Sequence, residues 1–412
     1  MEKKFDYENF DYETCFKEVE NSIKKPNIMI CGASGVGKSS LINDIMDLDK
    51  NSSGATVGEE GRAETKGVKR YESASSTVNL YDSEGYEVDN VNSQKDFYYK
   101  EIISFIDKLR DEYPEDMEKH IHEVWYCISA GNKRFYDTDR QLINTIQEKN
   151  VPVMIIVTKV DLSSEEELVQ LRNEIHSQCP HVNCYTYSVN MKDAEEEQIE
   201  RFVQKEQIIK WAMDNLDDSL KNGLLPSIKG GIKEKREYAI RKIIPPYAAL
   251  AVGAVVGGAF SPIPFSDSLP LMGIQIKMTY DILRTFGIKT DMQKALVEVV
   301  GSQAISYMGK TIASQLVSII PIFGGGVKIA VNTSVAVTVT ATLGITIALI
   351  SEQYVKACVD AGGAVNLPFT EFLTKERLVD TLNYVKANKS LFALDDIIND
   401  AIKKGTKKNK KK

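Results

Sequence analysis

Asn27-Ile28-Met29-Ile30-Cys31-Gly32-Ala33-Ser34-Gly35-Val36-Gly37-Lys38-Ser39-Ser40 is the stretch on which the reading of this chain turns. A short apolar run, of strand length, enters a glycine-rich octet that opens a helix predicted over 39–47. The octet Gly32 to Ser39 has the pattern GxxxxGK(S/T), in the strand–loop–helix setting that its mechanism requires. Glycines let successive backbone N–H groups close around phosphate oxygens, and the helix N-terminus adds a favourable field. Gly32, Ala33, Ser34, Gly35, Val36 and Gly37 would form that cradle. Lys38 would reach the β- and γ-phosphates, Ser39 would ligate Mg²⁺, and Ser40 would sit in the same first turn. An ordinary glycine-rich turn would not need the lysine and the hydroxyl at these positions.

Downstream residues select the base. Asp82-Ser83-Glu84-Gly85 follows the apolar run 77–81 and has the form DxxG, with Asp82 toward the metal and Gly85 toward the γ-phosphate. Thr158-Lys159-Val160-Asp161 follows the run 152–157 and has the form (N/T)KxD. There an aspartate accepts hydrogen bonds from the guanine N1–H and N2 amine, which adenine does not offer in that arrangement. Ser188-Val189-Asn190 follows the run 184–187, where a short loop brings a backbone N–H to the guanine oxygen. Each tetrapeptide is weak alone; four in order, each at the end of an apolar run, predict GTP or GDP with Mg²⁺ as the bound group.

The same runs predict the fold. Apolar segments at 27–31, 77–81, 123–128, 152–157 and 184–187 alternate with helical stretches at 39–47, 94–112, 137–149 and 164–177. That pattern means a mostly parallel sheet with helices on both faces. The segment 67–73 has hairpin spacing to 77–81 and predicts one antiparallel edge strand. An acidic helix at 194–220 closes this half.

Residues 26–190 resemble a small GTPase domain of the translation-factor-related class and are similar in spacing to bacterial Era-like GTPases. The resemblance implies a switch threonine that senses Mg²⁺, which maps to Thr65, with Thr56 as the competing position. It also implies that Lys38, Thr65 and Gly85 carry the catalysis, with Ser39, Thr65 and Asp82 at the metal. Where Ras-like proteins place a water-orienting glutamine after DxxG, this chain has Tyr86. Slow hydrolysis follows, unless another group or a second copy in a homodimer completes the site. Arg62, Arg70 and Arg134 are candidate charge donors; for each, the plain alternative is a solvated surface arginine.

The chain has 412 residues and a formal net charge of −7, unevenly distributed. Residues 1–222 carry −17 and residues 223–412 carry +10. Composition excludes disorder, collagen and a disulfide-stapled mini-domain. The six cysteines read as reduced thiols, and the N-terminus lacks a secretory core, so the expectation is cytoplasmic, with peripheral or integral association with the inner face of the membrane left open. His176, Cys179, His181 and Cys184 form a cluster of metal-ligand types, weighed against a loop leading into a strand.

Beyond Gly223 the texture becomes helical and apolar. Between Lys242 and Lys277 the only charged side chain is Asp267, and between Lys310 and Glu352 it is Lys328. Helices are predicted at 232–242, from Pro270 to Gly287, and at 291–318, 328–350, 374–388 and 395–404. The division is an amphipathic helix at 1–25, a nucleotide domain at 26–222, a helical apolar domain at 223–402 and a Lys-rich tail at 403–412. Pro262 to Asp267 and Ile319 to Gly326 resemble an uncharacterised helical domain of bacterial GTPases that is often regarded as membrane-associated. A looser likeness runs to immunity-related and dynamin-like GTPases.

Ser334, Thr338, Thr342 and Thr346 recur every fourth residue in an uncharged run of 22, placing four hydroxyls on one helical stripe. The second half offers either an anionic-lipid surface or a protein partner through 223–412; specific nucleic-acid binding lacks a signature. The leading reading is a slow, Mg²⁺-dependent GTPase switch that controls the helical domain. The alternatives are a GTP-holding scaffold without meaningful turnover and a ribosome- or RNA-associated GTPase.

Overall fold

The computed structural model describes residues 10–46, 68–71, 77–83, 93–191, 196–257, 269–288, 327–360 and 368–409. Two units make up the chain: Ile23–Gly231, and Met1–Ser22 together with Ile232–Lys412. Thr56, Arg62, Thr65, Gly85, Tyr86, the helix expected at 291–318 and the two Pro/Gly-rich segments lie outside the described residues.

The first unit is built on six strands: β1 (Asn27–Cys31), β2 (Val68–Tyr71), β3 (Asn79–Ser83), β4 (Glu123–Ser129), β5 (Val153–Thr158) and β6 (Asn183–Thr186). Their order in the sheet is β2-β3-β1-β4-β5-β6. All pairings are parallel except β2 with β3, so the expected antiparallel edge is present. Every residue of β1, β4 and β5 is buried, the consequence of helices on both faces of a parallel sheet. Asn27 ties the N-terminal end of β1. Its N–H donates to His122 Nδ1 at 2.8 Å, its amide donates to the carbonyls of Glu118 and His120 at 2.9 and 2.7 Å, and its Oδ1 accepts from Asn79 at 2.7 Å.

The acidic segment expected as one helix at 194–220 forms three: Glu196–Phe202, Lys205–Asn215 and Asp218–Leu224. Gln204 makes the first break. Its N–H donates to the Thr186 carbonyl at 2.9 Å and its Oε1 accepts from Thr186 N and Oγ1 at 2.9 and 3.2 Å, which extends β6 instead of the helix. The boundary expected at Gly223 also moves. A Cβ on Gly223 would lie 2.4 Å from the Lys24 carbonyl, and its own carbonyl accepts from Thr77 Oγ1 at 2.6 Å. This glycine serves close packing. The chain then pairs Ile228 with Met46 before it leaves through Gly230 and Gly231, both at positive φ.

In the second unit the long helix Val327–Asp360 runs buried from Val339 to Ile350. Helices Ile244–Gly257, Leu269–Thr285, Lys375–Ala387 and Leu394–Asn409 pack in one core with it. A Cβ on Gly344 would meet Ile244 Cγ1 at 2.7 Å, so this glycine sets how near the two helices come. Pro245 and Pro246 lack N–H donors, and a π-helical turn at Ala239–Ile243 precedes them. Thr338, Thr342 and Thr346 donate to the carbonyls four residues earlier at 2.7, 2.6 and 2.8 Å, so the hydroxyl stripe satisfies itself within its own helix. Ser334–Val359 is the one helix among the described residues long and apolar enough to cross a membrane, and 89% of its most apolar stretch is buried.

Helix Tyr12–Glu20 belongs to this second unit. Phe16 stacks on Tyr280 with ring centroids 4.1 Å apart, and Glu18 and Glu20 accept from Lys277 Nζ at 2.6 Å and the Tyr280 hydroxyl at 2.7 Å. The final helix runs on to Asn409, past the start expected for the Lys-rich tail.

Glu123 is fully buried, and burial holds its carboxyl well above the ordinary 4.5; the Trp125 indole N–H at 3.2 Å opposes this only in part. The folded state therefore keeps a proton that the unfolded state releases above pH 4.5. Stability should fall as pH rises from there to the folded value, by on the order of 1.4 kcal/mol per unit. Glu123→Gln should abolish that slope and raise the melting temperature at neutral pH, as followed by calorimetry from pH 5 to 8. An unchanged slope would contradict the assignment.

Candidate nucleotide-binding site

β1 delivers the glycine-rich loop to the C-terminal edge of the sheet, and the loop closes on backbone conformations open to glycine. Gly32 has φ +137, and a Cβ there would fall 2.3 Å from the Cys127 carbonyl of β4. Gly37 caps the helix Lys38–Ile45 at φ +102. Gly35 stands at φ +71 with nothing within 4 Å of where a Cβ would be, so the rim of the loop is open. Ser34, Ser39 and Ser40 are exposed, whereas Ala33 and Val36 are buried beneath them.

Lys38 is 8% exposed, and its ammonium donates to the Gly32 and Ala33 carbonyls at 2.8 and 3.1 Å. A buried cation that, among the described residues, is held by neutral carbonyls is suited to receive an anion. The loop is clamped from β5. Thr158 Oγ1 is bonded to the Val36 carbonyl and lies 3.1 Å from the Ile128 carbonyl, and Lys159 Nζ donates to the Gly35 carbonyl at 2.5 Å. Lys159 itself takes a left-handed conformation, φ 55, which turns the chain at once toward Asp161.

Asp161 is exposed but braced. The Ser188 hydroxyl donates to its Oδ1, and the Asn190 amide donates to Oδ2 at 3.3 Å. The loop Ser188–Asn190 is thereby joined to the end of β5, with Val189 half-buried between its neighbours. Tyr187 fixes the same loop from below: its hydroxyl donates to Asp44, and Asp44 pairs with Lys205 at 3.2 Å. Burial and the Asp44 carboxylate hold the Tyr187 phenol far above its ordinary range, so it stays a donor.

The structure thus brings together the loop 32–40, Thr158, Lys159, Asp161, Ser188 and Val189. Asp82, the penultimate residue of β3, lies beside β1 in register with Ile30. The fit to Mg²⁺ rests on donor chemistry: the Ser39 hydroxyl and the Asp82 carboxylate are hard oxygen donors of the kind that ion takes. Arg70 is exposed on β2, where it donates to Asn79 at 3.0 Å, and Arg134 is exposed.

Cys31 and Cys127 beneath the loop are fully buried thiols pushed up to about 12 by burial, so neither supplies a nucleophile. Among the described residues no group of three or more His, Cys, Asp and Glu is placed to hold a metal, the cluster His176 to Cys184 included. Sequence reasoning missed Tyr98. It lies on helix Ser93–Glu112, its hydroxyl within reach of both Gly32 and Ser83. An aromatic residue in a polar helix was the only signal.

Comparison with known proteins shows what this half is similar to. Residues 24–218 match the family model described as Septin. Septin-2 of Rattus norvegicus is 26% identical over 212 residues, covering 46% of this chain and 56% of that protein. Septin-11 of Homo sapiens is 28% identical over 167 residues, covering 37% of this chain and 38% of that protein. The chain therefore spans about half the length, or less, of these curated relatives. Among solved structures, Era of Aquifex aeolicus bound to GDP and aluminium fluoride shares 15% identity over 59% of this chain and 70% of that one, with a TM-score of 0.29.

The matched segment is similar to the septin GTP-binding domain, and its motifs are those of the P-loop GTPase superfamily. The superfamily expected from the motifs stands. The particular likeness to bacterial Era-like proteins does not, because the spacing of these motifs is common to the superfamily and the sequence match runs to septins.

Thr158→Val keeps the shape of the side chain and removes both carbonyl contacts from its hydroxyl. Stability should fall by about 1–2 kcal/mol in denaturant titration, with weaker GTP binding by calorimetry. Unaltered stability and affinity would show that the clamp does not shape the loop.

Proposed function

We propose that the half Ile23–Gly231 binds GTP and GDP with Mg²⁺ and hydrolyses GTP slowly. The observation that carries the base assignment is the exposed Asp161 carboxylate, held in place by Ser188 and Asn190 beside a loop tied down by Thr158 and Lys159. A carboxylate that already accepts from two protein donors keeps lone pairs for a ligand with two adjacent N–H donors, which is the guanine edge. Lys38 and the first turn of helix Lys38–Ile45 supply positive charge for the phosphates. Ser39 and Asp82 would hold Mg²⁺, which neutralises charge on the β- and γ-phosphates when bound.

Slow turnover is supported by Tyr86, which follows the DxxG motif where a water-orienting side chain would be expected. Thr65 and Gly85 remain the proposed switch threonine and γ-phosphate contact, and a second copy of the chain is the proposed source of a completing group. For the helical half we read an output module: the +10 carried by residues 223–412, against −17 for residues 1–222, favours an anionic partner surface at the cytoplasmic face. The burial of Ser334–Val359 favours packing of that helix within the module over permanent insertion in lipid.

Asp161→Asn should weaken GTP binding by about 3 kcal/mol, roughly 100-fold, and raise the affinity for xanthosine triphosphate. Lys38→Ala should abolish binding of both nucleotides. Equal affinity of the unmodified protein for ATP and GTP in competition titrations would overturn the base assignment.

A further inference from the structure

Tyr98 is 5% exposed, and its hydroxyl meets one group of the phosphate loop and one of β3. The Gly32 N–H, first of the phosphate loop, donates to it at 2.8 Å. Ser83 Oγ, one residue after Asp82, lies 2.7 Å away, and that same Oγ lies 3.2 Å from the Ile30 carbonyl. Each hydroxyl has one hydrogen to give, and the Tyr98 hydroxyl also lies 3.5 Å from the Gly32 carbonyl. The Gly32 N–H donates to Tyr98; when Ser83 donates to the Ile30 carbonyl, Tyr98 donates to Ser83, and when Ser83 donates to Tyr98, the phenol can turn to the Gly32 carbonyl. The circuit leaves β1 at Ile30 and returns to the chain at Gly32, the first residue after that strand.

We infer that Tyr98 is a positioning residue that locks the metal-binding end of β3 to the phosphate loop, so that Asp82 is set for Mg²⁺ before nucleotide arrives. Side chains alternate across a strand, so pinning Ser83 on the face of helix Ser93–Glu112 directs Asp82 to the other face. Without the Tyr98 hydroxyl, the Gly32 N–H loses its partner in a buried place and the Ser83 side chain loses that partner too. The end of β3 then keeps its ladder and the Ile30 contact but loses this tie to the phosphate loop. The lysine gains nothing from this and the metal loses most, because Lys38 reaches the loop through its own bonds to Gly32 and Ala33. The inference rests on the nucleotide reading given above and adds to it the residue that presets the acidic ligand.

The test is the ratio of GTP affinities with Mg²⁺ and with chelator, measured by fluorescence titration on the full chain carrying Tyr98→Phe. The ring stays and only the hydroxyl goes. The Mg²⁺-dependent gain should shrink about tenfold, the size of one buried hydrogen bond, with metal-free affinity changed little. Tyr99→Phe is the control: it removes a hydroxyl on the same helix that pairs with Thr145 at 2.6 Å, and should leave the Mg²⁺ ratio unchanged. Ser83→Ala should shrink the ratio as Tyr98→Phe does, and the double variant should add nothing further. If Tyr98→Phe lowers both affinities equally, or matches Tyr99→Phe, Tyr98 is structural only and the inference is overturned. If the unmodified protein binds no GTP under either condition, the nucleotide reading falls first and takes this inference with it.

Discussion

Everything in the first unit depends on how closely the phosphate loop passes the end of β4. Gly32 lies so near the Cys127 carbonyl that a single added carbon would occupy the carbonyl's place. That proximity lets β1 sit between β3 and β4 while its C-terminal end turns out into a loop. Thr158 and Lys159 then draw the far side of the loop toward β5. The loop's shape is thus imposed by two neighbouring strands, and its own sequence supplies only the freedom to accept it. Binding energy from a phosphate would not have to organise a flexible segment, which is the sense in which the site is preorganised.

The base end follows the same logic with charge in place of glycine. Asp161 would be a poor reader of a ligand if it could rotate freely. Ser188 and Asn190 hold both its oxygens, and Tyr187 holds their loop through Asp44 to the helix that carries Lys38. The phosphate end and the base end are therefore one hydrogen-bonded frame. The second unit is stabilised differently, by burial of an apolar helix whose hydroxyls turn back on their own carbonyls and whose buried Glu352 is matched by Arg236 at 3.1 Å.

Much of this was legible in the sequence, for physical reasons that can be stated. Fully buried parallel strands must be near-continuous apolar runs, so β1, β4 and β5 announced themselves. A phosphate loop needs particular glycines and a lysine in fixed order, so that site did too. What escaped were interactions whose partners lie far apart in the chain. Gln204 breaks a helix because Thr186 is beside it, and Gly223 is a glycine because the Lys24 carbonyl is against it. Tyr98 matters because Gly32, 66 residues earlier, leaves it an N–H. Periodicity carries none of these. Helix Tyr12–Glu20 was legible as a helix, but its membership in the unit that begins again at Ile232 was not, since that depends on Phe16 meeting Tyr280.

The central claim is that one preformed frame, from the loop at 32–40 through Thr158 to Ser188–Asn190, binds a guanine nucleotide as a unit. Amide hydrogen exchange on the full chain, with GTP or ATP at equal concentration, tests it most directly. GTP should slow exchange together at residues 32–40, 158–161 and 188–190, and ATP should leave all three segments close to the ligand-free rate. Protection by GTP confined to one of these segments, or equal protection by ATP, would contradict the account.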